Sequence, residues 1–421
     1  MKTFRRSLAV IVILGLAQVV NGYSVLTHEQ VVDLAWKDHI APLLMKRFPQ
    51  TTPEELKKAH AFAYGGCVIQ DLGYYPFGSK QFSDLVHYVR SGDFVENLLS
   101  ESKDVNDYAF ALGALSHYAS DISGHPAVNR AVAIEFPKLR KKYGDIVTYE
   151  DDPKAHLATE FGFDVTQVAK NRYTADAYHD FIGFEVAKPL LERAFQKTYA
   201  MELGDVFKNV DLAVGSYRRS VSGVIPQMTK VALATRRADI VKETPNFEKR
   251  EFLYHLSRAQ YEKDWGTTYE HPGVGARILA FLFRIVPKVG PFKALGFKVP
   301  TRTTEDLYVA SVNDTVERYA NLLQKLRAGE KLELPNMDFD TGKKTVAGEY
   351  RLTDEAYAKL LGKLEERKFD LLTPELRSDV LQFYADPKAQ IATKKDAEQW
   401  QKTLNSLRAL KATGGVAAKR D

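Results

Sequence analysis

Between Leu115 and Glu160 the chain carries metal-competent side chains at a helical interval. His117, Asp121 and His125 follow one another four residues apart, and His156 and Glu160 repeat the spacing. Residues four apart share one face of an α-helix, about one turn from each other. Each pair could hold a cation between an imidazole nitrogen and a carboxylate oxygen, a donor mixture suited to zinc. The pattern commits this stretch to helical geometry and to the middle of a polynuclear zinc site.

Helical periodicity also dominates the rest of the chain. Thr27 can cap a helix with Val31, Leu34 and Ala35 inward, which puts His28 in its first turn. Thr52-Pro53-Glu54-Glu55 opens a second helix. It closes at Gly65-Gly66 or runs on to Asp71, before Gly73, Pro76 and Gly78 force a loop. His87 follows in Phe82–Tyr88. Asn106–Ser123 reads as a long helix ended by Gly124 and Pro126, so that His125 falls just past its last turn. Helical patterns return over 184–237, 304–327 and 354–410. With no internal repeat and little strand-type alternation, the expectation is an all-α, multi-helix protein.

The first 22 residues have the pattern of a secretory signal: basic Lys2, Arg5 and Arg6, then an apolar run from Leu8 to Leu16. That run is short for a membrane span. Cleavage before Tyr23 would export the chain to a periplasm or to the medium. Losing three cations and no acids lowers the formal charge from +5 to +2, so the basic balance argues little for a polyanionic partner. The single cysteine, Cys67, rules out an internal disulfide and reads as buried packing. The expected organisation is a signal segment (1–22), a catalytic helical domain (23–328) and a helical C-terminal region (349–412), with the polar stretch 329–348 as the boundary.

The candidate ligands are the Tyr23 terminus, His28, Asp71, His87, His117, Asp121, His125, His156 and Glu160. A free amine and its own carbonyl oxygen at Tyr23 can chelate, but only after cleavage. His39, His60, His179, His255 and His271 have no partner at ligand spacing and read as packed or surface histidines.

The ordered series His28, Asp71, His87, His-x3-Asp-x3-His at 117–125 and His-x3-Glu at 156–160 resembles the trinuclear-zinc phosphodiesterases. These are the zinc-dependent phospholipases C and the S1/P1-type nucleases. The resemblance implies three zinc ions. Asp71, His87 and His117 would hold one. His125, His156 and Glu160 would hold the second. The Tyr23 amine and carbonyl with His28 would hold the third, with Asp121 bridging the first and third. It also implies Asp71 as the candidate general base. The chain departs from the family at Tyr23, where tryptophan is usual. It also departs at Leu72, where choline-selective phospholipases carry tyrosine, and in the short Asp121–His125 interval. The helical C-terminal part lacks the β-sandwich lipid-binding domain of some clostridial toxins.

Two catalytic readings follow. The leading one is a phospholipase C that hydrolyses the glycerol–phosphate ester of phospholipids, in line with Glu160. The rival is a nuclease acting on single-stranded nucleic acid, in line with the spacing from Tyr23 to His28. That enzyme needs aromatic stacking platforms, for which Tyr74, Tyr75, Phe77 and Tyr88 are candidates alongside their reading as packing residues. A third reading, from a different class, is a non-catalytic helical binding protein stapled by closed zinc sites. Apolar Ile278–Val286 is followed by Lys288, Lys293 and Lys298 among prolines. It reads as a buried helix and loop, or as a basic-aromatic surface that touches a membrane at 278–298. No obligate protein partner is evident.

Overall fold

The computed structural model describes residues 23–169, 183–221 and 297–413. The signal-like segment, His179, His255, His271 and residues 278–296 lie outside the described residues. The protein is all-α: the regular structure described is helical apart from a two-residue antiparallel ladder, β1 (Met337–Asp338) with β2 (Lys343–Lys344).

Among the described residues the α-helices, in order, are α1 (Val25–Ala35), α2 (Ala41–Arg47), α3 (Pro53–Cys67), α4 (Lys80–Tyr88), α5 (Ser91–Glu101), α6 (Val105–Glu135), α7 (Pro137–Tyr143), α8 (Pro153–Ala169), α9 (Lys188–Tyr199), α10 (Val210–Arg219), α11 (Arg302–Ala328), α12 (Arg351–Glu366), α13 (Pro374–Phe383) and α14 (Ala397–Ala412). No described helix is long and apolar enough to cross a membrane.

The long α6 is the axis, and α3 and α11 make its largest contacts. Glycines bring α3 and α6 together. A Cβ at Gly66 would sit 2.0 Å from the Phe110 carbonyl oxygen, and one at Gly113 would sit 2.1 Å from that of Ala63. Only hydrogen at both positions permits this backbone approach. It brings the Cys67 carbonyl within reach of His117 on the neighbouring helix.

Two local expectations are corrected. The first concerns Pro126. Asp104 caps α6, accepting from the amides of Asn106 and Asp107, and the helix then runs without a break through Gly124 and Pro126 to Glu135. His125 is inside the helix. A mid-helix proline removes one hydrogen bond and usually kinks or ends the helix. Here packing of α6 against its neighbours outweighs that local cost. The second concerns α1, which begins at Val25, ahead of Thr27, with Ser24 at its cap position. The Thr27 hydroxyl instead donates to Asp164 Oδ1 at 2.6 Å, while the Leu26 amide donates to Asp164 Oδ2 at 3.0 Å. α8 thereby fastens the start of α1. The capping box of α3, made by Thr52 and Glu55, forms as its sequence predicts.

Residues 330–350 lie across the helices of the first part of the chain. The amides of Gly92 and Asp93 donate to Asn336 Oδ1 at 3.0 and 3.1 Å, and Tyr118 Oη donates to the Pro335 carbonyl at 2.8 Å. Gly342, at φ +67°, turns the ladder directly over α6. A Cβ there would lie 2.7 Å from the Ile122 carbonyl oxygen, the acceptor that Pro126 deprives of its helical donor.

Candidate metal centre

Five elements converge on one buried cluster. α1 supplies His28, the 3-10 turn Ile69–Tyr74 supplies Asp71, and α4 supplies His87. α6 supplies His117, Asp121 and His125, and α8 supplies His156 and Glu160. All eight side chains are buried. They fall into three groups whose donor atoms lie within 4.8 Å of one another: His28, His117 and Asp121; Asp71, His87 and His117; and His125, His156 and Glu160.

Asp121 is the hub. Its Oδ1 is 3.4 Å from His28 Nε2. Its Oδ2 is 3.0 Å from His117 Nε2 and 3.6 Å from both His87 Nε2 and His125 Nε2. Asp71 Oδ1 is 3.3 Å from His87 Nε2, and His156 Nδ1 is 2.5 Å from Glu160 Oε1. Most of these separations exceed a good N–H···O bond. Two ligands each about 2.1 Å from a tetrahedral ion stand about 3.4 Å apart, so the spacing is that of donors around a cation.

Partners behind the cluster fix the rings. His117 Nδ1 meets the Cys67 carbonyl at 2.9 Å, and His87 Nδ1 meets the Ser83 carbonyl at 2.8 Å. His156 Nε2 meets Asn129 Oδ1 at 2.8 Å. Each ring donates outward, which holds the tautomer and leaves its other nitrogen facing the cluster. Asn129 was missed by the sequence reading.

Among the described residues, both nitrogens of His28 and His125, His117 Nε2, His156 Nδ1, both Asp121 oxygens and Glu160 Oε1 are buried without a hydrogen-bond partner. Buried polar atoms without partners are expensive. Burial also drives the charges off. It lowers His28 and His156 well below the usual imidazole range and raises Glu160 and Asp71 well above the usual carboxylate range. At Asp121 burial alone would raise the carboxyl, but His117 and His125 more than reverse it and hold it well down. Imidazole nitrogens converging on carboxylates that no Lys or Arg approaches in these ion pairs form a donor set for divalent cations. The residues therefore fit zinc.

Tyr23 lies beside this centre. Its ring is buried, edge-on to His28 at 6.0 Å between centroids, and its hydroxyl donates to Ser311 Oγ at 2.6 Å. His60 is buried 3.0 Å from Asp33 Oδ1 and stacks on Trp36, away from the three groups. Cys67 is buried, as its sequence context predicts. Of the aromatic candidates for base stacking, Tyr74, Tyr75 and Tyr88 are buried and Phe77 is exposed.

The sequence reading also missed Asp340. The ladder carries this residue from the C-terminal part of the chain to the rim of the third group, where its Oδ1 lies 3.7 Å from His125 Nε2.

An all-α scaffold holding a buried polyhistidine–carboxylate centre defines a zinc-dependent hydrolase class of site. Comparison with protein families agrees: residues 27–209 match the family model described as "Zinc dependent phospholipase C". No curated protein and no solved structure matches the chain.

Proposed function

We propose that the protein is an exported phospholipase C that hydrolyses the bond between glycerol and phosphate in phospholipids. The observation that carries this reading is the gathering of three donor groups around Asp121 within the family-matched segment. Zinc bound there would neutralise charge on a phosphoryl group and acidify a water, the chemistry that closely spaced cations bring to phosphodiesters.

The chain's own residues do the rest. The Cys67 and Ser83 carbonyls hold His117 and His87 with Nε2 inward, and Asn129 holds His156 with Nδ1 inward. Asp121 offers one oxygen towards His28 and the other towards the remaining imidazoles. Asp71 sits 3.3 Å from His87 Nε2, where its carboxylate can take a proton from a water at the cluster. We assign it the roles of ligand and general base together. After cleavage before Tyr23, the new amine would complete the His28 group. Three cations would then be bound per chain, and contact with a membrane would be transient.

The test uses zinc-loaded protein beginning at Tyr23 on mixed phospholipid vesicles, with the products separated by chromatography. Diacylglycerol together with a phosphorylated head group supports the reading. Phosphatidic acid or free fatty acid as the first product overturns it.

A further inference from the structure

We propose that Asp340 is itself a metal ligand, a fourth protein donor to the cation of the His125, His156 and Glu160 group, so that the C-terminal part of the chain completes the centre. The inference rests on the metal-centre reading above and is independent of the substrate.

Four observations carry it. First, the 3.7 Å between Asp340 Oδ1 and His125 Nε2 is too long for a hydrogen bond. It is just beyond the 3.6 Å from Asp121 Oδ2 to His87 and His125, and close to the roughly 3.4 Å expected across a tetrahedral ion. Second, the carboxylate is buried and held as ligating carboxylates are held. Tyr88 Oη and Tyr350 Oη both donate to its Oδ2, at 2.8 and 2.5 Å, which turns Oδ1 towards His125.

Third, Asn129 ties this residue to the group. Its Oδ1 meets His156 Nε2, and its Nδ2 donates to the Asp340 carbonyl at 2.8 Å. One side chain thus sets both a histidine of the group and the backbone that carries the carboxylate. Fourth, the ladder is built to reach this place. The Phe339 amide donates to the His87 carbonyl at 3.3 Å, and the Phe339 ring lies 5.3 Å from the His87 ring. Gly342 permits the contact with α6 beside His125. Among the described residues, both His125 nitrogens are buried without a hydrogen-bond partner.

Three protein donors at a zinc ion leave a position open, and a fourth carboxylate fills it or raises the coordination number. The expected ligand set is His125, His156, Glu160 and Asp340.

Cobalt(II) is the probe, because its visible absorption reports coordination geometry without any turnover. The purified protein and its Asp340→Asn variant are loaded with cobalt and titrated against a chromophoric chelator. The expected result is a changed absorption spectrum and about 10-fold weaker binding of one cation in the variant, with the same helical circular dichroism. Identical spectra and affinities overturn the proposal. If Asp340→Asn does not fold, Tyr350→Phe removes one of the orienting donors and keeps the carboxylate. A smaller spectral change supports ligation, and an unchanged spectrum overturns it. If the unaltered protein takes up no cobalt, the metal-centre reading falls and this inference with it. Uptake with no difference between the two proteins sinks this inference alone.

Discussion

Buried carboxylates occur in two parts of this molecule under opposite conditions. In the C-terminal helices the chain supplies the donors. Asp354, at the start of α12, accepts the Gly348 and Ala392 amides at 2.9 and 2.6 Å, and Asp338 accepts the Thr353 hydroxyl at 2.7 Å. The same helices bury Leu360, Leu361, Leu364, Val380 and Leu410 in the hydrophobic core. At the junction of α1, α4, α6 and α8, both Asp121 oxygens and Glu160 Oε1 face imidazole nitrogens and, among the described residues, have no hydrogen-bond partner. The first region is complete without a ligand. The second carries an electrostatic cost that cations relieve.

The contrast is broken most directly at His117, the side chain common to two donor groups. His117→Ala should reduce phospholipid hydrolysis by at least about 10²-fold, the loss that even partners behind the ligands can carry. Metal content should fall in parallel while circular dichroism stays helical. Retained activity at unchanged zinc content would dissolve the special status of the cluster.

Leu360→Ala asks the reverse question in the other region. This fully buried leucine on α12 belongs to the core, so its truncation should cost about 2–5 kcal/mol in denaturant unfolding. Zinc affinity measured by chelator competition should stay within about threefold, because Leu360 is neither one of the donor residues nor a hydrogen-bond partner of one. A tenfold loss of affinity would show that the two regions are one energetic unit.

Asn129→Leu keeps the helix and removes the acceptor of His156 Nε2. Zinc affinity at one site should fall about 10–100-fold with little change in unfolding of the zinc-free protein. The same substitution with unchanged affinity would make Asn129 a packing residue.

The smallest effect concerns pH at Asp379 on α13. Burial pushes its carboxyl up to about 6, against the pull of the Arg90 charge and the Tyr357 hydroxyl at 3.1 Å. A raised folded-state value means the folded protein holds this proton at a pH where the unfolded chain has lost it. The group therefore costs stability at pH 7, and the cost is relieved as pH falls from about 6 to about 4. Asp379→Asn should stabilise the protein by about 1–2 kcal/mol at pH 7, after allowance for partial exposure, and by nothing near pH 4. A gain that persists at pH 4 would place its origin elsewhere.

What could be read from the sequence followed from distance along the chain. The His-x3-Asp-x3-His and His-x3-Glu intervals are local, and helix geometry alone aligns them. The all-α class follows from the same periodicity. The misplaced end of α6 had a consequence beyond one boundary. Residues 117, 121, 125 and 129 form one continuous four-residue ladder, and Asn129 is its next step. A helix that ended at Pro126 would stop one turn short of the side chain that orients His156.

Asp340 was hidden for a different reason. It stands in a short polar segment, Asp338-Phe339-Asp340-Thr341-Gly342, whose composition is that of a connection. Nothing local places it against His125. Its position depends on tertiary contacts: Gly342 over α6, Phe339 against α4, and Tyr88 and Tyr350 on either side. The Gly66–Gly113 crossing that carries the Cys67 carbonyl to His117 belongs to the same kind, since each glycine is unremarkable until the two helices are laid together.

Hydrolysis of phospholipid phosphodiesters at the Asp121-centred cluster, as proposed, is tested by a parallel assay of zinc-loaded protein beginning at Tyr23 on mixed phospholipid vesicles and on single-stranded DNA, with His117→Ala as the blank. The expected result is diacylglycerol release, intact DNA and an inactive variant. DNA cleavage without lipid turnover, or equal activity in the variant, would contradict it.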